Sequence, residues 1–238
     1  WEKMPAEAQK RMIGAEAFSE AEGGVTWSDY LCEVNQKGET VWEWHAHSDL
    51  KIEDYPLHMM STRKEFLHCN ACHELTDGNL MLSFRKNSMV IVIDKKTKKV
   101  LKKWQNDDWG QQHDCQRLKN GNVLIFANGI HVPGGVFSSR VIEFDWDTGD
   151  EVWSFSGTPP WSMFSPNISG AQRVQNGNTL ICEGLNGRFL EITKTGDVVW
   201  EFVNPWFANT DKGPNNSVFR VFRYGLSSPQ ISKRIKSL

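Results

Sequence analysis

Apolar and polar residues alternate along most of the chain, and short glycine-containing turns interrupt the alternation at regular intervals. Alternation around DG, NG and TG turns is typical of β-hairpins. A unit made of an apolar strand, a turn and a strand with aromatic positions recurs at 31–44, 90–104, 141–155 and 189–202. The pattern therefore predicts an all-β chain.

A second unit, a leucine or valine followed by a tight turn and another strand, lies between copies of the first. Its turn glycines, Gly78, Gly121 and Gly177, are 43 and 56 residues apart. One four-stranded propeller blade takes roughly 40–50 residues. The two units together predict a β-propeller built from four-stranded blades, about four of them visible here.

Three tryptophans occupy the same position in the repeat: Trp42, Trp153 and Trp200. Large aromatic side chains contribute most to buried area, so we expect all three to be buried between blades.

The two ends of the chain depart from the repeat. Residues 2–22 are rich in alanine and glutamate, with a weakly helical period. We interpret 1–24 as a connector or the remnant of a preceding blade, 25–225 as propeller blades, and 226–238 as a polar basic tail.

The composition narrows the class of partner. The chain has 238 residues, 39% of them hydrophobic, and a formal net charge of −2. The absence of a long Lys/Arg block argues against nucleic acid as the partner. The sequence also lacks a run of about 18 apolar residues, so it predicts no membrane span. We expect a small-molecule or protein partner, and no oligomeric state is predicted.

Aligning the repeats on their turns places Asn70, His113 and Ser169 at one position. Equivalent positions of successive blades form a ring around the propeller axis. His68 precedes Asn70 by two residues and is expected beside this ring. Residues distant in sequence are thus predicted to converge at one mouth of the channel.

Other candidates for the same mouth are polar side chains of later repeats. Gln172 and Arg173 follow the Ser169 position, and Arg140 and Arg188 match each other four residues before an aligned strand position. A convergent set of imidazoles and guanidiniums is typical of a functional pocket.

The stretches "LHCNACHELTDGNLMLSFR", "QHDCQRLKNGNVLIFANG" and "SGAQRVQNGNTLICEG", with the strands between them, resemble the bacterial aryl-sulfate sulfotransferases and their arylsulfotransferase-like relatives. The resemblance extends from about residue 23 to about residue 225. It implies a propeller of six blades in the full-length protein and a periplasmic or extracellular location.

The resemblance also implies an activity. Family members transfer a sulfuryl group from a phenolic sulfate ester to a phenol acceptor through a sulfated histidine, without a nucleotide sulfate donor, metal or other cofactor. By resemblance, His68 matches the histidine of the family's His-x-Asn stretch, His113 matches the one before the NGN turn, and Arg140 lies near an arginine of the site. In the family, the nucleophilic histidine follows the last NGN strand. This chain reads "EGLNGRF" there, with Arg188 and without a histidine. The covalent role would then fall to His113 or His131.

Imidazole can attack sulfur or donate a proton, and guanidinium can hold two sulfate oxygens at once. The candidate catalytic residues are His68, His113, His131 and Arg140. The candidate substrate contacts are Asn70, Arg85, Asn128, Gln172, Arg173 and Arg188.

Two cofactor sites compete for some of these residues. "CNACH" at 69–73 matches the C-x-x-C-H pattern of c-type haem attachment, and His68, Cys69, Cys72, His113 and Cys115 could form a zinc site. We expect neither, and predict instead unligated thiols with Cys72 close to Cys115.

A different class of function uses the same fold. A propeller can bind a small anionic ligand or a protein at its channel mouth without catalysis. Turnover of a chromogenic aryl sulfate with phenol present separates this alternative from a sulfotransferase.

Overall fold

The structure is a computed structural model that describes residues 1–15, 24–132, 134–226 and 228–232. The chain forms two compact units. The first contains Trp1–Cys115 and Gly129–Gly135, and the second contains Gln116–Asn128 and Val136–Leu238. Within the described ranges, no helix has the length and apolar character needed to cross a membrane.

The described strands and helices of the first unit are β1 (Glu2–Lys3), α1 (Ala6–Lys10), β2 (Trp27–Ser28), β3 (Tyr30–Val34), β4 (Thr40–His45), α2 (Ala46–Asp49), β5 (Glu65–Phe66), β6 (Cys69–Glu74), β7 (Leu80–Phe84), β8 (Met89–Ile93) and β9 (Val100–Gln105). They form a four-stranded antiparallel sheet, β6–β7–β8–β9, a β3–β4 hairpin, and a small sheet in which β2 pairs with β1 and β5. Two 3₁₀ turns lie at Ile52–Asp54 and Asp107–Trp109.

The remaining described strands and helix are β10 (His113–Arg117), β11 (Val123–Ala127), β12 (Arg140–Phe144), β13 (Glu151–Ser156), β14 (Gly170–Arg173), β15 (Thr179–Glu183), β16 (Arg188–Ile192), β17 (Val198–Val203), β18 (Ala208–Thr210), β19 (Gly213–Asn215) and α3 (Pro229–Ser232). The unit boundary falls within β10. The strands form two four-stranded sheets, in the orders β10–β11–β12–β13 and β14–β15–β16–β17, and a β18–β19 hairpin. Two more 3₁₀ turns lie at Pro160–Ser162 and Gly184–Asn186.

Each four-stranded sheet is an antiparallel meander whose strands pair in chain order, which is the structure of a propeller blade. The all-β prediction and the β-propeller fold class are confirmed. Among the described residues three such sheets are complete, and the repeat at 31–44 forms the β3–β4 hairpin. The turn glycines Gly78, Gly121 and Gly177 have φ of 82°, 94° and 89°, a region that favours glycine.

The N-terminal segment packs into the first unit's core. Met4, Ala8 and Met12 are buried in one cluster with the side chains of Trp44 and Phe84. Ala8 of α1 and the two methionines that flank the helix therefore stabilise this unit, beyond the connecting role expected for 1–24. Residues 16–23 of that expected connector lie outside the described residues.

The aligned tryptophans differ in burial. The indole N–H of Trp42 donates to Lys95 O (2.8 Å) and that of Trp153 to Lys194 O (3.0 Å), in each case on the following sheet, and both rings are partly buried. Trp200 is 39% exposed, so the expectation that all three are buried is wrong. Its ring has the guanidinium of Arg223 over it at 4.9 Å, in place of a further sheet.

Candidate functional site

A group of charged and imidazole side chains lies at the start of β6, in the first unit. Leu67 and His68 both have left-handed backbone, with φ of 72° and 62°. Their carbonyl oxygens accept hydrogen bonds from the amides of Lys86 (2.9 Å) and Arg85 (3.0 Å), just after β7. Left-handed backbone costs a non-glycine residue about 1–3 kcal/mol, and such strain concentrates at functional sites. The clamp fixes the direction in which His68 leaves the backbone.

The His68 imidazole is backed by a carboxylate. Its Nδ1 lies 2.6 Å from Glu65 Oε2, and the side chain is 23% exposed. The Trp1 ring meets it edge-on, with centroids 5.1 Å apart. Burial acts to raise the pKa of Glu65, but the hydrogen bond from His68 and the charges of His68, Lys86 and Arg85 outweigh it, so the pKa is lowered.

Asp29 holds the same backbone from the other side. Its Oδ1 accepts a hydrogen bond from the Cys69 amide at 2.7 Å, while the buried Oδ2 has no hydrogen-bond partner among the described residues. Burial raises the pKa of Asp29 to about 6. The carboxyl group therefore gains a proton more easily than an exposed aspartate.

Two cations lie beside Glu65. Arg85 is partly buried, and its Nε lacks a hydrogen-bond partner within the described chain. Lys86 is buried, with Nζ 3.2 Å from Thr62 Oγ1 and 3.6 Å from Glu65 Oε2. Burial lowers the pKa of both groups. An anion could offset that desolvation, so the pair suits sulfate oxygens.

Two further imidazoles, those of His58 and His131, lie near the same cations. The rings of His58 and His131 stack with centroids 5.5 Å apart and planes 11° apart. The pKa of His131 is lowered by burial first, then by His58, Arg85 and Lys86. His131 was predicted from the sequence. His58 was not, because it lies in the loop before β5, outside the repeat pattern.

The other two first-unit candidates contribute to the strands. Asn70 Nδ2 donates to Gln112 O at 2.8 Å. His113 is 3% exposed in β10, and the side-chain Nε2 of the preceding Gln112 donates to Phe84 O (3.2 Å) and Met89 O (2.9 Å). The His113 side chain is thus buried, whereas those of His68 and His131 are accessible to solvent.

In the second unit, the three candidate arginines form ion pairs with glutamates. Arg140 pairs with Glu151 (3.1 Å), Arg173 with Glu143 (2.7 Å), and Arg188 with Glu201 (2.6 Å) and Glu183 (3.4 Å). The strand pairing explains both contacts of Arg188, because Glu183 lies directly opposite it on β15 and Glu201 lies two residues from Val203, its partner on β17.

The two candidate amides of this unit bind backbone. Asn128 Nδ2 donates to Ser165 O (2.7 Å) and Ile168 O (3.0 Å). Gln172 donates to Arg223 O (3.1 Å) and accepts from the Arg223 amide (2.7 Å). These contacts fix loops to strands.

The geometry can be set beside known proteins. The sequence profile of the family described as "Arylsulfotransferase (ASST)" matches residues 27–205. The chain belongs to the arylsulfotransferase family. No curated protein matches it.

Solved structures similar to this arylsulfotransferase-family chain include a protein of unknown function from Bacteroides caccae, with 16% identity, a TM-score of 0.48 and 79% of this chain covered. Virginiamycin B lyase from Staphylococcus aureus has 17% identity, a TM-score of 0.41 and 72% covered. BamB from Moraxella catarrhalis has 13% identity, a TM-score of 0.42 and 91% covered. The chain spans 64%, 47% and 58% of these three proteins, respectively.

A groove of about 750 Å³ lies in the second unit of this arylsulfotransferase-family member. Its walls include Arg117, Lys119, Trp153, Arg173 and Lys194, and no histidine is among its described lining residues. Glu143, which pairs with Arg173, also lines the groove, and its described lining offers no imidazole for covalent chemistry.

The cysteines form no disulfide within the described ranges, which contain all five. The C-x-x-C-H stretch forms β6, with Cys69 partly buried and Cys72 exposed. Burial raises the pKa of the Cys69 thiol. The described part of the chain contains no group of three or more His, Cys, Asp or Glu side chains arranged to hold a metal ion.

Proposed function

We propose that this chain is part of an enzyme that transfers a sulfuryl group from a phenolic sulfate ester to a phenol through a histidine. The observation that carries the proposal is the first-unit cluster: three imidazoles, His58, His68 and His131, around Arg85 and Lys86. Membership of the arylsulfotransferase family supports the same reaction class.

Displacing a phenol from sulfate needs three things, by analogy with phosphoryl transfer: an in-line nucleophile, cations beside the equatorial oxygens, and a proton source for the leaving phenolate. Imidazole supplies the nucleophile. Arg85 and Lys86 supply cations whose pKa values are lowered by burial, so a bound sulfate ester stabilises them. His131 supplies the proton, since a nearby anion favours imidazolium.

The contacts of the residues implied by family resemblance separate accessible residues from those that are already paired or buried. Arg140 has its guanidinium 3.1 Å from Glu151, and His113 is buried in β10. We therefore assign the reaction to the accessible first-unit histidines and give these two residues supporting roles.

We also propose a periplasmic or extracellular location, which cell fractionation with a periplasmic marker tests.

The experiment is release of 4-nitrophenol from 4-nitrophenyl sulfate with and without added phenol, with phenyl sulfate identified by mass spectrometry. We expect phenol-dependent release that is lost in His68→Asn. His73→Asn is the matched control, because His73 lies on β6 and is partly exposed. Equal activity in both variants, or none in the parent, would refute the proposal.

A non-catalytic propeller that binds a small anion is the second candidate. The tie of Arg188 to Glu183 and Glu201, in the turn that reads "EGLNGRF", favours it, because that turn presents no free nucleophile. Saturable binding of 4-nitrophenyl sulfate without phenyl sulfate formation would select this candidate.

A further inference from the structure

We propose that Glu65 is a positioning residue that makes Nε2 of His68 the nucleophilic atom. This inference rests on the proposed function and names the histidine and the ring nitrogen that perform it.

The first argument is the tautomer. An ionised carboxylate only accepts hydrogen bonds, so the nitrogen that it contacts must carry the proton. Glu65 Oε2 lies 2.6 Å from His68 Nδ1, and the lowered pKa of Glu65 keeps it ionised at neutral pH. The neutral His68 ring therefore has its lone pair on Nε2.

The second argument is the comparison with the neighbouring histidines. The Met60 amide donates to His58 Nδ1 at 3.1 Å, so the lone pair of neutral His58 is on Nδ1 and its Nε2 carries a proton. That arrangement leaves no lone pair on Nε2 of His58 for attack on sulfur. The stacked partner, His131, faces Arg85 and Lys86, which oppose positive charge on its ring. Of these three imidazoles, His68 is the one that contacts a carboxylate through Nδ1 in the described chain.

The third argument is rigidity. The carbonyl of left-handed His68 is bound by the Arg85 amide, and the next amide, that of Cys69, is bound by Asp29. Lys86 Nζ lies 3.6 Å from Glu65 Oε2, the oxygen that also contacts His68, and helps to hold the carboxylate in place. A nucleophile held in one direction loses less entropy on reaching the transition state.

The step balances as follows. The Nε2 lone pair forms an N–S bond, the S–O bond to the aryl group breaks, and its electron pair leaves on the phenolate oxygen. That oxygen takes a proton from the imidazolium of His131, which the bound sulfate ester favours. The acceptor phenol then returns a proton to His131 as its oxygen bonds to sulfur, and the N–S electron pair returns to Nε2 of His68. Glu65 accepts from Nδ1–H throughout and stabilises the positive sulfated ring.

The test uses Glu65→Gln, which keeps the shape and removes the charge, and Glu65→Asp, which keeps the charge and shortens the reach. Ring ¹⁵N shifts of His68, assigned with His68→Asn, report the tautomer without any substrate. We expect the Nδ1–H form to dominate in the parent and its share to fall at least about twofold in Glu65→Gln, with phenol-dependent kcat falling about tenfold or more. Glu53→Gln, which removes a carboxylate paired with Arg11 at 2.6 Å, should change neither.

Each outcome decides the matter. An Nε2–H ring in the parent, or an unchanged tautomer in Glu65→Gln, overturns the inference. If both Glu65 variants lose the fold, Glu65 is structural and the inference fails. If the tautomer shifts as expected while the parent forms no phenyl sulfate, the positioning contact stands and the proposed function fails.

Discussion

The two units use their cations differently. In the second unit Arg140, Arg173 and Arg188 each lie within 3.5 Å of a glutamate. In the first unit Arg85 has a buried Nε without a hydrogen-bond partner among the described residues, next to two stacked imidazoles. A guanidinium that is already paired with a carboxylate gains little stabilisation when a further anion binds. A buried guanidinium without such a partner gains much more. Arginine content alone therefore does not locate an anion site.

The four-stranded sheets of the two units differ at one position. Opposite pairs in the second unit join Glu143 to Trp153 and Glu191 to Trp200. In both sheets the asparagines of the NGN turn bind that glutamate, with Asn122 Nδ2 2.7 Å from Glu143. In the first unit the β3–β4 hairpin has the same kind of pair, Glu33 opposite Trp42, but the equivalent pair in β8 and β9 of its four-stranded sheet is Val92 and Lys102. An apolar residue there needs no arginine partner.

The largest effect that this comparison predicts is on turnover. Arg85→Met should lower phenol-dependent kcat by about 100-fold, because it removes a cation from the sulfuryl oxygens. Arg140→Met should change it less than about twofold, because Arg140 is already paired with Glu151. Steady-state kinetics on both purified variants checks this, and equal losses would remove the contrast between the units.

The next effect is on the pH dependence of stability in the first unit. The pKa of Asp29 is about 6 in the folded state, above the unfolded value, so the native state binds the proton more tightly. The stability that this carboxyl contributes is present below about pH 4, is lost as the pH rises toward 6, and amounts to about 3 kcal/mol. Asp29→Asn should flatten this decline, measured as the free energy of unfolding in urea between pH 4 and pH 7. The same slope in parent and variant would contradict it.

The smallest effect is on the stability of the second unit. Arg173→Ala removes the ion pair with Glu143 and the guanidinium over Trp153 at 4.7 Å, and should cost about 1–3 kcal/mol of unfolding free energy. Turnover at a temperature where the variant is folded should match the parent. A loss of kcat without a loss of stability would return Arg173 to the list of substrate contacts.

Much of the fold and part of the candidate site could be predicted from the sequence. Strand alternation and turn glycines are local signals, so the four-stranded sheets and the equivalence of Trp42, Trp153 and Trp200 follow from them. His68, His131 and Arg85 were also named from the sequence, since they adjoin strand ends of the repeat. His58 could not be, because it joins the cluster through a loop with no repeat position.

The sequence by itself thus determined the fold class, because backbone periodicity and turn chemistry depend on a few neighbouring residues. Only the tertiary structure decided which charges are already satisfied. Glu143 is 30 residues from Arg173, and whether such a pair forms depends on strand register and burial rather than on spacing along the chain. The same holds for His68, where Glu65 is three residues away, yet the left-handed backbone at Leu67 and His68 is what turns the ring onto that carboxylate.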